Sequence, residues 1–210
     1  MSRRRSDEEQ AERRDAFLDA AVAVVRRDGV TASMEAMAAE AGVTKPILYR
    51  VFGDRDGLLL ALVERFATEL GQALATPLGG TDSATGSRSV LDDDPKEVLR
   101  ATIDAYVALI ERDPALYRFL TERLASSPDR PIAGLADEVA RNVAVVLGER
   151  LRAIGADSGA AEPWAFALVG MVHLAGDWWV NRRTMARSTL VDYLVALVWD
   201  GMAGLRAPPP

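Results

Sequence analysis

The chain has 210 residues, 49% of them hydrophobic, which is ample for a buried core and argues against disorder. Its formal net charge of −6 excludes wholesale coating of nucleic acid, so a DNA-binding face would have to be local. With no cysteine and a single histidine, disulfide frameworks, thiolate metal sites, cysteine nucleophiles and multi-histidine metal sites drop out. No apolar run approaches the roughly 18 residues that suggest a membrane span, and the charged amino terminus has no apolar signal core. The expected setting is soluble and cytoplasmic, with no membrane partner.

Ser6-Asp7-Glu8-Glu9 reads as a helix start, with Ser6 as cap and Glu9 as its capping-box partner. Phe17, Ala20, Ala21, Val24 and Val25 then form one apolar face, and Asp28-Gly29 ends the helix. Arg3, Arg4 and Arg5 precede it, either as a solvated tail or as an arm reaching phosphates or the minor groove. Ser33 is a good N-cap for a second helix carrying Met34, Met37, Ala38 and Ala41. Gly42 can take the left-handed conformation that ends it. Thr44 recaps a third helix, which tolerates Pro46 because first-turn amides lack an intrahelical partner. Leu48, Val51 and Phe52 can face inward, leaving Lys45, Ile47, Tyr49 and Arg50 partly or wholly outward.

Asp54 caps the next helix, whose Leu58, Leu62, Phe66 and Leu70 recur at helical spacing through Leu74. From Pro77 to Asp94 the composition turns to Gly, Ser, Thr and Asp, a flexible loop longer than most connections. Its acidic run at Asp92 to Asp94 reads as solvated capping charge rather than a metal site. Pro95 and Pro114, each after an aspartate, open two further helices. Pro128 and Pro131 precede a helix running to about Ile154; others span Ser158 to about Asn181 and Thr189 to Leu205, with Pro208 to Pro210 a frayed end. With no strand pattern and no repeat, the fold class is all-α. It divides into a three-helix helix-turn-helix domain over 1–57 and a larger helical bundle over 58–210, with 77–94 as its loop.

The stretch Met34 to Arg55 carries the chemistry. Two short helices meeting at a glycine turn leave the second free to enter a DNA groove. Lys45 sits near the positive end of that helix, the geometry for a phosphate contact; Tyr49 offers a hydroxyl and Arg50 a forked donor. Ile47 could press on a thymine methyl. Arg5 and Ser33 join the candidate DNA-facing positions. A helix-turn-helix that serves only as a packing unit is the competing reading, which makes the chain an α-helical interaction module.

The run Ala39-Glu-Ala-Gly-Val-Thr-Lys-Pro-Ile-Leu-Tyr-Arg-Val-Phe-Gly-Asp-Arg-Asp-Gly-Leu-Leu59, behind its leading helix, resembles the TetR family of bacterial transcription regulators. The match is specific over about residues 10 to 60; beyond that only length and helix pattern agree. The resemblance implies that Thr44, Lys45, Pro46, Ile47, Tyr49 and Arg50 occupy recognition-helix positions that touch phosphates or base edges. Arg55, where lysine is usual, then contacts a phosphate at the start of the fourth helix. Arg50 and Val51 depart from the aromatic or histidine residues often found there, so base preference cannot be borrowed.

Similar regulators pair their last two helices across a two-fold axis. This implies a homodimer whose recognition helices lie about 34–36 Å apart on near-palindromic operator DNA. Val172, Gly176 and Trp179 on one helix and Leu194, Leu197, Val198 and Gly201 on the next are the expected interface, the glycines permitting close approach. Phe66, Leu70, Tyr106, Ile110, Tyr117, Leu120, Trp164, Leu168 and Met171 are expected around an inner cavity, with ordinary core as the competing reading of each. Such an apolar lining suits a small greasy effector, and the tryptophan-rich segment looks like members that sense acyl chains or acyl-CoA. His173 reads as a satisfied core histidine. The expected function is a ligand-released repressor without cofactor or metal. The chain lacks G-x-S-x-G, P-loop, dinucleotide and H-E-x-x-H motifs, so no enzymatic activity is expected.

Overall fold

The computed structural model describes residues 2–78, 94–125 and 131–201. Every regular element among them is helical: α1 (Ser2–Asp28), α2 (Met34–Glu40), α3 (Lys45–Phe52), α4 (Arg55–Ala75), α5 (Pro95–Arg112), α6 (Pro114–Ala125), α7 (Pro131–Ala153), α8 (Ala161–Arg182) and α9 (Arg187–Asp200), with short 3-10 turns at Gly29–Thr31 and Ser158–Ala160. Most of the expected 77–94 loop and the segment after Gly201 lie outside the described residues. Helix α1 begins before Ser6, so Ser6 is not its cap.

The chain packs as two compact units: residues 1–67 with 113–132, and residues 68–112 with 133–210. This grouping differs from the 57/58 boundary because α6 packs with the amino-terminal helices. Leu116, Phe119 and Leu120 join Phe17, Leu18, Ala21, Val24 and Val25 of α1, Met37 of α2, Leu48 and Phe52 of α3 and Leu58 of α4 in one buried cluster. Arg26 pairs with Asp113 at 2.7 Å, and Arg123 donates to the Val30 carbonyl while lying over the Phe119 ring.

Within the second unit α5 packs most extensively on α9 and also meets α8. Its buried residues include Ile103, Val107, Ile110, Trp179, Val180, Leu190, Val191 and Val195. The α8–α9 corner is pinned. Arg183 ends α8 in the left-handed region (φ 50°), lies 4.6 Å above the Trp179 ring and donates to Glu111 at 3.0 Å. Trp179 Nε1 donates to the Met185 carbonyl at 2.8 Å, and Arg187 bridges Asp104 at 2.9 Å and Glu111 at 3.2 Å.

Candidate nucleic-acid interface and sensor helices

The turn between α2 and α3 is built by backbone hydrogen bonds around Gly42. Its amide donates to Ala39 O at 3.1 Å, and the Val43 amide reaches Ala38 O at 2.9 Å. This is a Schellman closure, with Gly42 at φ 66° where a side chain would be strained. Ser33 caps α2 as expected, its Oγ accepting from Ala36 N at 3.2 Å. Thr44 is extended at the N-cap of α3, but its side chain makes no capping bond and the residue is exposed. Asp54 caps α4 through Gly57 N at 2.8 Å. A Cβ on Gly57 would lie 1.9 Å from the Phe52 carbonyl oxygen, so the close approach of the α3 and α4 ends requires glycine there.

Leu48 and Phe52 are the buried residues of α3. Arg14 of α1 lies 5.2 Å above the Phe52 ring, bracing the helix from behind. Ile47 and Tyr49 are half-buried at the edge of the core, whereas Pro46 and Arg50 are exposed. Val51, expected inward, is 37% exposed: the α3 stripe that meets α1 is Leu48 with Phe52, and Val51 lies beside it. Arg55 is exposed on the first turn of α4, and neither it nor Arg50 has an ion-pair partner among the described residues. Lys45 differs. Its ammonium contacts the Glu35 carboxylate of α2 and lies 5.6 Å above the Tyr49 ring. That contact holds the Glu35 carboxyl below its ordinary range and raises the Lys45 ammonium above its own. Sequence reading missed the pair, because ten residues and a reversal of direction separate its members. Arg5 falls within α1, but its side chain lies outside the described residues.

The expected effector lining is divided between the units. Phe66, Tyr117 and Leu120 belong to the first, where the Phe66 and Tyr117 rings are 6.3 Å apart and Leu120 is part of the helix-turn-helix core. Leu70, Tyr106, Ile110, Trp164, Leu168 and Met171 belong to the second. There Leu70 and Ile110 are buried, Tyr106, Leu168 and Met171 are half-buried, and Trp164 is 53% exposed on the first turn of α8. The Tyr106 hydroxyl is 3.1 Å from His173 Nδ1. Burial lowers the His173 pKa against an opposing push from Asp177, which favours the neutral ring accepting from the tyrosine.

Three residues expected at a dimer interface are enclosed within the second unit. Trp179 is 1% exposed, Leu194 is buried, and a Cβ on Gly176 would lie 2.9 Å from Ile110 Cδ1 and 3.0 Å from Tyr106 Cε1. Gly176 thus gives α5 room. Val172, Val198 and Gly201 are half-buried and Leu197 is exposed. Large apolar side chains beside them, Leu174 at 69% and Trp178 on α8 with Tyr193 and Trp199 on α9, stand in solvent.

Among the described residues no helix is long and apolar enough to cross a membrane, and no group of three or more acidic or histidine side chains could hold a metal. Residues 17–62 match the family model described as bacterial regulatory proteins, tetR family, and residues 87–207 match that of the tetracyclin repressor-like C-terminal domain. The chain is 34% identical over 204 residues to an uncharacterised HTH-type transcriptional regulator of Mycobacterium tuberculosis, spanning 97% of this chain and 82% of that one. It is 27% identical to the HTH-type transcriptional activator FasR of Mycolicibacterium smegmatis, over 91% and 84% of the two chains. A TetR-like regulator from Rhodococcus sp. RHA1 superposes with a TM-score of 0.65 at 25% identity, covering 91% of this chain and 96% of that one. FadR of Bacillus subtilis, solved in complex with stearoyl-CoA, has a TM-score of 0.65 at 20% identity, covering 89% and 98%. The helix-turn-helix, the larger helical part and these matches agree: the chain belongs to the TetR family of transcriptional regulators, DNA-binding proteins rather than enzymes.

Proposed function

We infer that this regulator binds a near-palindromic operator as a homodimer, represses transcription there, and releases DNA when a small apolar effector occupies its larger part. The observation that carries the reading is the division of α3, where Leu48 and Phe52 anchor the helix while Pro46 and Arg50 face solvent beside half-buried Lys45, Ile47 and Tyr49. Thr44, Lys45 and Arg55 supply phosphate contacts, Ser33 and Arg5 flank them, and Arg50 with Ile47 and Tyr49 reads the groove. The division of labour runs at residues 57/58, with 1–57 touching DNA and 58–210 sensing and pairing, although packing draws α6 to the first part. Its place of action is the cytoplasm, where the DNA is.

An acyl chain or acyl-CoA is the effector class. Supporting it are the apolar character of α8 and the fold shared with FadR, a protein solved with stearoyl-CoA. Half-buried Tyr106, Leu168 and Met171 are its contacts in the second unit, with the Tyr106–His173 pair as polar neighbour. Release is a population shift and needs an effector that binds the two conformations with different affinity. The dimer forms through the outward faces of α8 and α9, using Leu174, Trp178 and Leu197 beside Val172 and Val198. Activation is the second reading, favoured by the similarity to the activator FasR.

A mobility-shift titration on the DNA upstream of the protein's own gene tests this. Salt-sensitive, sequence-specific binding that stearoyl-CoA weakens supports the repressor reading. No binding at low salt would sink it. Light scattering on Leu174→Asp and Trp178→Asp variants tests the interface: monomers support it, intact dimers move it elsewhere.

A further inference from the structure

Three cations stand at or beside the recognition helix, and the structure treats one of them differently. Arg50 and Arg55 extend into solvent with no ion-pair partner among the described residues, whereas the Lys45 ammonium is held against the Glu35 carboxylate. We propose that Glu35 is a built-in stand-in for phosphate, which holds Lys45 in place without DNA and competes for it when DNA arrives. The proposal rests on the reading that Lys45 faces phosphate. Glu35 is then a positioning residue that acts on DNA through Lys45.

Exposed ion pairs are ordinarily weak, because two long side chains must be ordered in water. Here much of that ordering is supplied by other contacts. Lys45 lies above the Tyr49 ring one turn along α3, which restricts its stem. The Gly42 closure fixes α2 against α3, so Glu35 and Lys45 face one another across a rigid turn. Each partner's shifted protonation, with the mutual hydrogen bond as its leading cause, agrees with this contact.

The consequence lies in the salt dependence. A lysine that neutralises a phosphate releases condensed counterions and adds about 0.9 to the slope of log affinity against log salt. Lys45 must be shared with Glu35 to do so, and two negative charges, phosphate and carboxylate, then face one ammonium close to the DNA. A condensed cation is therefore retained beside the phosphate, so this lysine adds little net slope. Its attraction to DNA falls by the strength of the pair it gives up.

The test is a double-mutant cycle on the full chain with Glu35→Gln and Lys45→Gln. Affinity for a labelled mixed-sequence duplex is read by fluorescence anisotropy between about 50 and 200 mM salt, because non-specific binding isolates the phosphate contribution. Glu35→Gln is expected to bind about two- to fivefold tighter at low salt, the range set by an exposed pair. Its slope should steepen by up to about 0.9. Lys45→Gln alone should leave the slope nearly unchanged, and adding it to Glu35→Gln should abolish the gain. A gain that survives in the double variant overturns the proposal, since the carboxylate would then act by charge alone. Loss of about 0.9 in slope on Lys45→Gln in both backgrounds, with Glu35→Gln silent, also overturns it but leaves the α3 face intact. No effect of Lys45→Gln in either background overturns both the proposal and the placement of Lys45 on DNA. Far-UV circular dichroism checks folding. Should Glu35→Gln lose structure, Glu35→Asp keeps charge at the helix start while withdrawing it from Lys45, and is expected to steepen the slope in the same direction.

Discussion

Helix α3 buries apolar Leu48 and Phe52 and leaves its cations outside the core, with Arg50 exposed and Lys45 half-buried, although apolar Pro46 and Val51 are exposed beside them. Helix α8 buries Ala161, Ala165, Gly176, Trp179 and Val180, yet Trp164, Phe166, Leu174 and Trp178 on the same helix are exposed. Both of its faces are apolar, and only the fit against α5 and α9 decides which side is interior. The charged residues of α3 are legible as surface from the sequence, whereas its exposed Val51 is not. An exposed apolar face such as that of α8 looks like core until the packing is known.

The largest expected effects test that division within α8. Trp179→Ala should cost about 3–5 kcal/mol, since it removes a fully buried ring, its hydrogen bond to Met185 and the seat of Arg183. Leu174→Ala should change the stability of the isolated protomer by no more than about 0.5 kcal/mol. Urea midpoints measured at protein concentrations low enough that no dimer would persist check the pair. Similar losses at both sites would mean that the two faces are not distinct.

Gly57→Ala comes next, in the DNA-binding part. The new methyl meets backbone rather than a flexible side-chain end, so about 1–3 kcal/mol of destabilisation is expected, together with loss of DNA binding as the α3 and α4 ends separate. Retained stability and affinity would show that this junction is loose.

The smallest effect concerns pH. Burial lowers the His173 pKa below its ordinary 6.5, so the unfolded chain takes up a proton before the folded one does. The stability contributed by the neutral ring is complete above about pH 6.5 and lost as pH falls through the folded-state value, at no more than about 1.4 kcal/mol per pH unit. His173→Gln should flatten that part of the stability–pH curve. An unchanged slope would place the pH dependence in other groups.

Much of the helix-turn-helix was legible because each of its controls is local. Ser33 and Asp54 accept from amides three residues on, and Gly42 closes its own turn. The misses have physical causes as well. Val51 differs from Leu48 only by its place on the helix, and the helix start at Ser6 gave way to a longer α1. Gly176 and Trp179 look like interface residues by composition, but Ile110, Tyr106 and Arg183, each distant in sequence or across a corner, enclose them. The attachment of α6 to the amino-terminal core and the Lys45–Glu35 pair likewise depend on tertiary approach, for which no sequence spacing codes.

The central claim is that the exposed side of α3 reads DNA while its buried side only holds it in place. The most direct test is anisotropy of Arg50→Ala beside the native protein on the DNA upstream of its own gene, with a mixed-sequence duplex as reference. Arg50 is exposed and unpaired among the described residues, so its loss should leave folding intact. The expected result is a loss of about 1–3 kcal/mol in operator binding with a smaller loss on the reference duplex. Equal affinities for both proteins on the operator would contradict the claim.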